Sequence, residues 1–204
     1  MNCKEERPVK LRKSVALTAL IALLIVPGIA SAHILVGMAN GGLAAGFAHP
    51  FSGVDHMLAM LTVGLWAATL GGSASWKVPA AFVTMLVTGA LLGMSGGVHL
   101  PLVEPFIAVS VLVLGLAVTL TWRVSTGAGM FLVGLFALFH GYAHGTALPD
   151  AAGGFLFLLG MTTASIVLHF TGFALGSALK RHQWLLRSGG ALIAGAGIWL
   201  VATL

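Results

Sequence analysis

The chain has 204 residues and a formal net charge of +5, yet only 7% of its residues are charged and 58% are hydrophobic. Soluble domains carry about 25% charged residues, so this composition excludes a soluble globular protein and indicates membrane helices. The positive charges form no basic stripe with interleaved aromatic residues, which argues against nucleic acid as a partner. The one cysteine, Cys3, lies near the start, so the rest of the chain has neither a disulfide framework nor a thiolate metal site.

The first 32 residues have the pattern of a secretory signal peptide. A basic segment ends at Lys13, an apolar segment runs from Val15 to Val26, and Ala30-Ser31-Ala32 matches the A-x-A cleavage pattern. Cleavage there leaves His33 as the new N-terminus and residues 33–204 as a single transmembrane helical domain. An uncleaved first helix is the alternative. In both cases the basic end stays in the cytoplasm and residue 33 emerges outside.

The rest of the chain is a series of apolar stretches. Residues 34–48 are apolar but short, and Asn40-Gly41-Gly42 interrupts them, which is typical of a re-entrant or interfacial helix. We therefore predict an all-α, polytopic membrane helix bundle of six spans after a cleavable signal peptide, with that short helix before the first span. The predicted spans are residues 54–70, 78–95, 103–122, 127–144, 153–179 and 188–204.

Charge decides the predicted topology. If residues 34–48 do not cross the membrane, all five basic loop residues face the cytoplasm, as the positive-inside rule requires: Lys77, Arg123, Lys180, Arg181 and Arg187. We therefore expect a multi-pass protein of the bacterial inner membrane whose mature chain has both ends on the outer, periplasmic side. The potential metal ligands then lie at or near the outer face, with His140 one turn deeper: His33, His49, Asp55, His56, His99, Glu104, His144 and Asp150.

The segment Ala48–Met57 contains two histidines and a carboxylate. His49 and His56 are seven positions apart, so on one straight helix they would lie about 10.5 Å apart along the axis. One metal ion with bonds of about 2.0–2.1 Å cannot hold both rings at that separation. Pro50 and Gly53 can turn the chain between the two histidines. We therefore expect a bend here that brings the two rings together.

Asp55 in the same segment has two interpretations. It can serve as a metal ligand, or it can complete a capping box with Ser52 as the N-cap of the following helix. His56 lies just inside a membrane helix, where ionisable groups are costly and usually functional. His49 and His56 are therefore the stronger candidate ligands.

Five further positions are candidates for the metal site or its path. His140 and His144 are four residues apart on one predicted helix, a spacing that suits capture of a transition-metal ion, although two structural histidines would give the same pattern. Glu104, where the third span begins, would add a carboxylate or sit in headgroup water. His169 lies deep in the fifth span, as a relay site or as a histidine bonded to a backbone carbonyl. His33, if cleavage exposes it, would chelate an ion with its amino group and ring. Imidazole and carboxylate without thiolate favour Ni²⁺, Co²⁺, Cu²⁺ or Zn²⁺ over Cu⁺.

These motifs resemble the HupE/UreJ family of membrane proteins, which is associated with nickel-dependent hydrogenase and urease. His49-Pro50-Phe51-Ser52-Gly53-Val54-Asp55-His56 is similar to that family's H-P-x-x-G-x-D-H signature, and residues 103–112 and 139–145 are similar to its later blocks. The resemblance covers essentially all of residues 33–204. One departure is that Thr146-Ala147-Leu148-Pro149 stands where we expect an acidic residue, with Asp150 as its candidate substitute.

The resemblance implies a nickel or cobalt permease that has no tightly bound cofactor and carries Ni²⁺ or Co²⁺ as the transported ion. It also implies the metallochaperones of hydrogenase or urease maturation as partners, beside the lipid bilayer, and is compatible with a homo-oligomer. No nucleotide-binding motif is present, so the membrane potential or a proton gradient would drive uptake. Two alternatives stay open: an intramembrane zinc-dependent hydrolase with Asp55 or Glu104 as general base, and an accessory protein that delivers metal without transporting it.

Overall fold

A computed structural model describes residues 42–146 and 151–204, with side chains in the second range from residue 153 onward. The predicted signal peptide, His33 and Asp150 lie outside these residues. The described residues form helices and no strands. The helices are α1 (Leu43–Ser52), α2 (Val54–Leu70), α3 (Ala74–Ser95), α4 (Val103–Thr119), α5 (Thr126–Thr146), α6 (Ala151–Leu179) and α7 (Gln183–Ala202).

Each predicted span coincides with one helix, and the all-α prediction is confirmed for the described residues. By length and apolarity, α3, α5, α6 and α7 are each able to cross a membrane. The pair α1 and α2 passes the same criterion together but is bent by 87°. Helix α4 has 17 residues, about 26 Å at 1.5 Å per residue, slightly less than a hydrocarbon core of about 30 Å. The protein is therefore a membrane protein with at least four candidate spans, and six spans remain a prediction.

The bend between α1 and α2 lies at Gly53. Helix α1 begins after Gly42 and continues through Pro50 to Ser52. Gly53 then adopts an extended conformation, with φ −103° and ψ 118°, and α2 starts in a new direction. The predicted turn between His49 and His56 is therefore confirmed, and Gly53 rather than Pro50 makes it.

Glycines let the helices of the bundle approach backbone to backbone. In the α3–α5 pair, a Cβ atom at Gly141 would collide with the carbonyl oxygen of Leu86. In the α2–α6 pair, a Cβ atom at Gly172 would collide with the carbonyl oxygen of Leu61. Small residues permit this packing in membranes, where the hydrophobic effect does not drive helices together. Helices α4 and α7 pack in the same way, as does α1 on α6.

The loops that follow α2, α4 and α6 meet at one end of the bundle. They line a cavity of about 510 Å³ that includes Arg123 and Lys180. The indole of Trp66 donates a hydrogen bond to the carbonyl of Trp122 there, at 2.9 Å. The loop that follows α3 lies at the opposite end, where the Tyr142 hydroxyl donates to the carbonyl of Val98 at 2.7 Å. The basic loop residues thus share one end of the molecule, as the charge pattern predicts.

Candidate metal site

Helices α1, α2 and α5 bring four histidines together at the end of the bundle away from the basic loops. We call His49, His56, His140 and His144 the histidine cluster. The ring centroid of His56 lies 4.4 Å from that of His144, 4.8 Å from that of His140 and 6.3 Å from that of His49. His140 is fully buried and His144 is 4% exposed. The bend at Gly53 makes the cluster possible, because it carries His49 and His56 to the same side of α5.

Asp55 forms an ion-pair contact with its neighbour His56. The Nδ1 atom of His56 lies 2.7 Å from Oδ1 of Asp55, and the backbone N–H of His56 donates to the same oxygen at 2.8 Å. Since an ionised carboxylate can only accept, Nδ1 of His56 carries a proton, and Nε2 is the unprotonated nitrogen when the ring is neutral. The carboxylate therefore orients the ring that lies at the centre of the cluster.

The predicted capping box with Ser52 as the N-cap is wrong, because the N-cap of α2 is Gly53. Asp55 nevertheless accepts the backbone N–H of His56, one of the amides at the start of α2. Ser52 instead donates its hydroxyl proton to the carbonyl of His49 at 2.6 Å, which belongs to the last turn of α1. Asp55 still lies in the first turn of α2, where its charge complements the helix dipole.

His49 and His144 contact each other through their ring nitrogens. Nε2 of His49 lies 2.8 Å from Nδ1 of His144, so one nitrogen donates a hydrogen bond to the other. When both rings are neutral, the ring whose nitrogen accepts this hydrogen bond carries its own proton on its other nitrogen.

Every ring in the cluster has one buried nitrogen that lacks a hydrogen-bond partner within the described residues. These atoms are Nδ1 of His49, Nε2 of His56, Nδ1 of His140 and Nε2 of His144. Buried polar atoms are rarely left unpaired, and each such atom requires an explanation. Unprotonated imidazole nitrogens are common ligands of divalent transition metals. When the four rings are neutral, three of these four nitrogens are unprotonated and fit such an ion, and the fourth, on the ring that accepts the His49–His144 hydrogen bond, must lose a proton to bind.

The side chains are not yet arranged as a finished coordination shell. Among residues 42–146 and 153–204, no three His, Cys, Asp or Glu side chains converge on one point as a bound ion requires. The physical reason is that His49 and His144 direct one nitrogen each at the other ring. Rotation of these two rings about their side-chain bonds would be needed to direct their nitrogens at an ion shared with His56 and His140.

His169 lies on α6, outside the histidine cluster. Its ring is 3% exposed, and its Nδ1 donates to the carbonyl of Ser165 at 2.6 Å, which leaves Nε2 buried and without a partner among the described residues. The sequence left open a relay role or a bond to a backbone carbonyl, and the structure shows the carbonyl bond together with one free nitrogen. The centroid of the Phe82 ring lies 6.1 Å from that of the His140 ring and 4.9 Å from that of the His169 ring.

Comparison with known proteins agrees with the sequence motifs. Residues 21–200 match the family model described as HupE / UreJ protein. The chain belongs to the HupE/UreJ family. It is 43% identical over 187 residues to Protein HupE of Rhizobium leguminosarum bv. viciae, an alignment that covers 91% of this chain and 96% of that protein. No solved structure matches the chain.

Glu104, another predicted site residue of this HupE/UreJ protein, lies outside the histidine cluster. Glu104 is exposed in the first turn of α4 and makes no side-chain hydrogen bond or ion pair with the described residues. It lies six residues before Ser110, about 9 Å along the helix axis, and Ser110 contacts His140. Glu104 is therefore at the same end of the bundle as the cluster without being part of it.

Two contacts of the HupE/UreJ site were missed by the sequence analysis. Ser110 is fully buried, and its hydroxyl oxygen lies 2.9 Å from Nε2 of His140. Phe82 is also fully buried, and its ring lies near those of both His140 and His169. A serine within an apolar span is a weak signal for a buried hydrogen bond, whereas nothing in the sequence distinguishes Phe82 from the other phenylalanines.

Proposed function

We propose that this chain is a secondary permease that carries Ni²⁺, and also Co²⁺, across the bacterial inner membrane into the cytoplasm. The single observation that carries the proposal is the histidine cluster, in which four rings from three helices each retain a buried nitrogen without a partner among the described residues. The membership of a family associated with nickel and cobalt uptake for hydrogenase and urease supports the choice of ion.

In this proposal the histidine cluster is the capture site, and Asp55 is its charged component. Removing a divalent cation from water is costly, and a nearby negative charge offsets part of that cost. Asp55 is in contact with His56 and 23% exposed, so its charge acts on the cluster while it still faces the outer end of the bundle. Glu104, exposed at the same end, would attract cations toward the site, and His33 would contribute only if cleavage places it there.

The proposed path runs from the histidine cluster past Phe82 to His169. Nδ1 of His140 and Nε2 of His169 are buried and have no partner among the described residues, and the Phe82 ring lies near both histidine rings. A movement of that ring would allow an ion to pass from one nitrogen to the other. A cavity of about 560 Å³ between α3 and α6 contacts His169 and extends to Ser75 and Trp76 at the start of α3, although most of its lining is apolar.

The membrane potential is a sufficient source of energy for this transport. Moving one elementary charge across 100 mV releases about 2.3 kcal/mol, so a divalent cation gains about 4.6 kcal/mol when the inside is negative. That energy corresponds to a concentration ratio of about 10³ at equilibrium.

The decisive experiment measures metal uptake by the purified protein in liposomes, with Ni²⁺, Co²⁺, Zn²⁺ and Cu²⁺ supplied in turn. We expect uptake of Ni²⁺ and Co²⁺ by the parent chain and its loss in the His56→Ala variant, because His56 is the ring in contact with all three others. His182→Ala is the matched control, since His182 precedes α7 at the opposite end, and it should retain parental uptake.

Three outcomes of this experiment contradict the proposal. Parental uptake by His56→Ala would exclude the cluster as the capture site. Tight metal binding without uptake would indicate an accessory protein that delivers metal to a partner. Zinc-dependent hydrolysis of an amide or ester, again without uptake, would favour the intramembrane hydrolase.

A further inference from the structure

A short chain of hydrogen bonds connects the backbone of α4 to the histidine cluster. The hydroxyl oxygen of Ser110 lies 2.6 Å from the carbonyl oxygen of Ile107 and 2.9 Å from Nε2 of His140. Ser110 and His140 are both fully buried, so water does not compete for these contacts. Each contact must therefore have one donor and one acceptor from the protein itself.

The direction of these hydrogen bonds follows from their chemistry. The carbonyl of Ile107 can only accept, so the single hydroxyl proton of Ser110 is donated to it. The hydroxyl oxygen then has only lone pairs to offer, and Nε2 of His140 must carry the proton that it accepts. In a neutral imidazole this assignment leaves Nδ1 of His140 unprotonated. That nitrogen is the buried atom without a partner, and its ring lies edge-on to that of His56 with centroids 4.8 Å apart.

We infer that Ser110 is a positioning residue for the metal site, whose hydroxyl holds His140 in the one tautomer and ring orientation that presents Nδ1 to a divalent transition-metal ion. This inference rests on the proposed role of the histidine cluster in metal capture. The Ser110 hydroxyl donates to a backbone carbonyl and accepts from the imidazole. It is thus the hydrogen-bond acceptor that the second nitrogen of a ligating histidine has in other metal sites. Ser110 itself does not touch the ion.

The position of the ring proton can be assigned in His56, His140 and His169, and the hydrogen-bond acceptor of His140 is of a different chemical type from the other two. His56 donates directly to a carboxylate and His169 directly to a backbone carbonyl. Only in His140 is the acceptor a side chain that a single substitution removes without changing the backbone or the charge of the cluster. Removal of the hydroxyl leaves Nε2 without an acceptor, so the buried ring loses what fixes its orientation and the position of its proton.

The test compares Ser110→Ala, Ser110→Thr and Thr62→Val in the full chain. Thr62 is the matched control, because it is also a fully buried hydroxyl in a span and donates to a backbone carbonyl, that of Leu58, rather than to a histidine. The Ni²⁺ dissociation constant of each purified protein is measured by titration calorimetry, and the KM and maximum rate of Ni²⁺ uptake are measured in liposomes.

Ser110→Ala should raise the dissociation constant and KM about 10- to 100-fold, the usual effect of removing a partner of a ligating histidine. Thr62→Val should stay within about twofold of the parent, and Ser110→Thr, which keeps the hydroxyl, should recover most of the loss. An unchanged dissociation constant in Ser110→Ala, or an equal loss in Thr62→Val, would overturn the inference.

Nitrogen-15 NMR of the His140 ring in the parent protein provides a measurement that does not depend on transport. We expect a protonated Nε2 and an unprotonated Nδ1, and a proton on Nδ1 would overturn the inference by itself. If the parent chain takes up no metal, the proposed permease function fails, while the NMR spectrum and the dissociation constants still decide the role of Ser110.

Discussion

Asp55 acts on the histidine cluster both as a hydrogen-bond acceptor and as a negative charge, and substitutions at this position distinguish the two effects. Its Oδ1 atom accepts the Nδ1 proton of His56, which leaves Nε2 of that ring free for a ligand. Its negative charge also lowers the energy of any cation held nearby. Asparagine retains an oxygen acceptor of the same geometry without the charge, and alanine removes both.

We expect Asp55→Asn to raise the KM for Ni²⁺ uptake about 10-fold and Asp55→Ala to raise it closer to 100-fold, within the range known for partners of ligating histidines. Uptake of ⁶³Ni²⁺ into liposomes over a range of concentrations measures both values. Ser52→Ala serves as the control and should match the parent, because Ser52 bonds to the carbonyl of His49 and caps no helix. An equal KM for the asparagine and alanine variants would show that the acceptor geometry contributes nothing.

The break between α1 and α2 depends on the absence of a side chain at residue 53. Its φ of −103° is accessible to any residue, so backbone strain does not require glycine. The requirement is one of space: a Cβ atom there would lie 2.7 Å from Oδ1 of Asp55 and 3.0 Å from Nδ1 of His56. Alanine at this position must displace the pair that orients the centre of the cluster.

Gly53→Ala should therefore lower Ni²⁺ uptake at least 10-fold while the protein still inserts in the membrane. Quantitative immunoblotting of membrane fractions, followed by uptake normalised to protein amount, distinguishes loss of function from loss of protein. The matched control is Gly127→Ala, since a Cβ atom at Gly127 meets no atom within 4 Å. Parental uptake by Gly53→Ala would show that the cluster tolerates a shift of the Asp55–His56 pair.

Hydropathy predicted the positions of the helices well, because a membrane span is defined by a local property of the chain. The first predicted span, 54–70, coincides with α2, and the last begins five residues later than α7 does. The pairing of the helices was not predictable in the same way. Glycines occur on many helix faces, and only the folded structure shows that Gly141 packs on α3.

The site was predictable to the extent that its residues belong to local motifs. His49, Asp55 and His56 stand together in one segment, and His140 and His144 in another, so their convergence followed from placing both segments at one end of the bundle. Ser110 and Phe82 belong to two other helices and to neither motif, so only their contacts in the folded structure identify them as part of the site. The contact of His140 with Ser110 joins residues 30 positions apart, and no periodicity encodes it.

At the level of the whole molecule, the basic loops and the histidine cluster occupy opposite ends. The loops after α2, α4 and α6 meet around one cavity that includes Arg123 and Lys180. Within the described residues, the bundle therefore has the charge asymmetry that the positive-inside rule associates with a cytoplasmic end. The orientation follows as a prediction: the cavity faces the cytoplasm and the cluster faces the periplasm.

Cysteine labelling tests this orientation. In a Cys3→Ser background, Ser73→Cys places a thiol in the exposed loop after α2, and His99→Cys places one in the exposed loop after α3. A membrane-impermeant maleimide should label the His99→Cys variant in spheroplasts and the Ser73→Cys variant only after the membrane is permeabilised. The reverse pattern would invert the topology and make the cluster a cytoplasmic site.

The break at Gly53 also has an electrostatic consequence. A helix that stops leaves its last carbonyl oxygens without partners in the helix, and its dipole places about half a negative elementary charge at that end. His49 lies in the last turn of α1, so this partial charge is held next to the cluster. The positive end of α2 would oppose it, but Asp55 lies in the first turn of α2 and compensates that end. By breaking one helix in two, the chain places the negative end of the α1 dipole beside the histidine cluster, where it favours a cation.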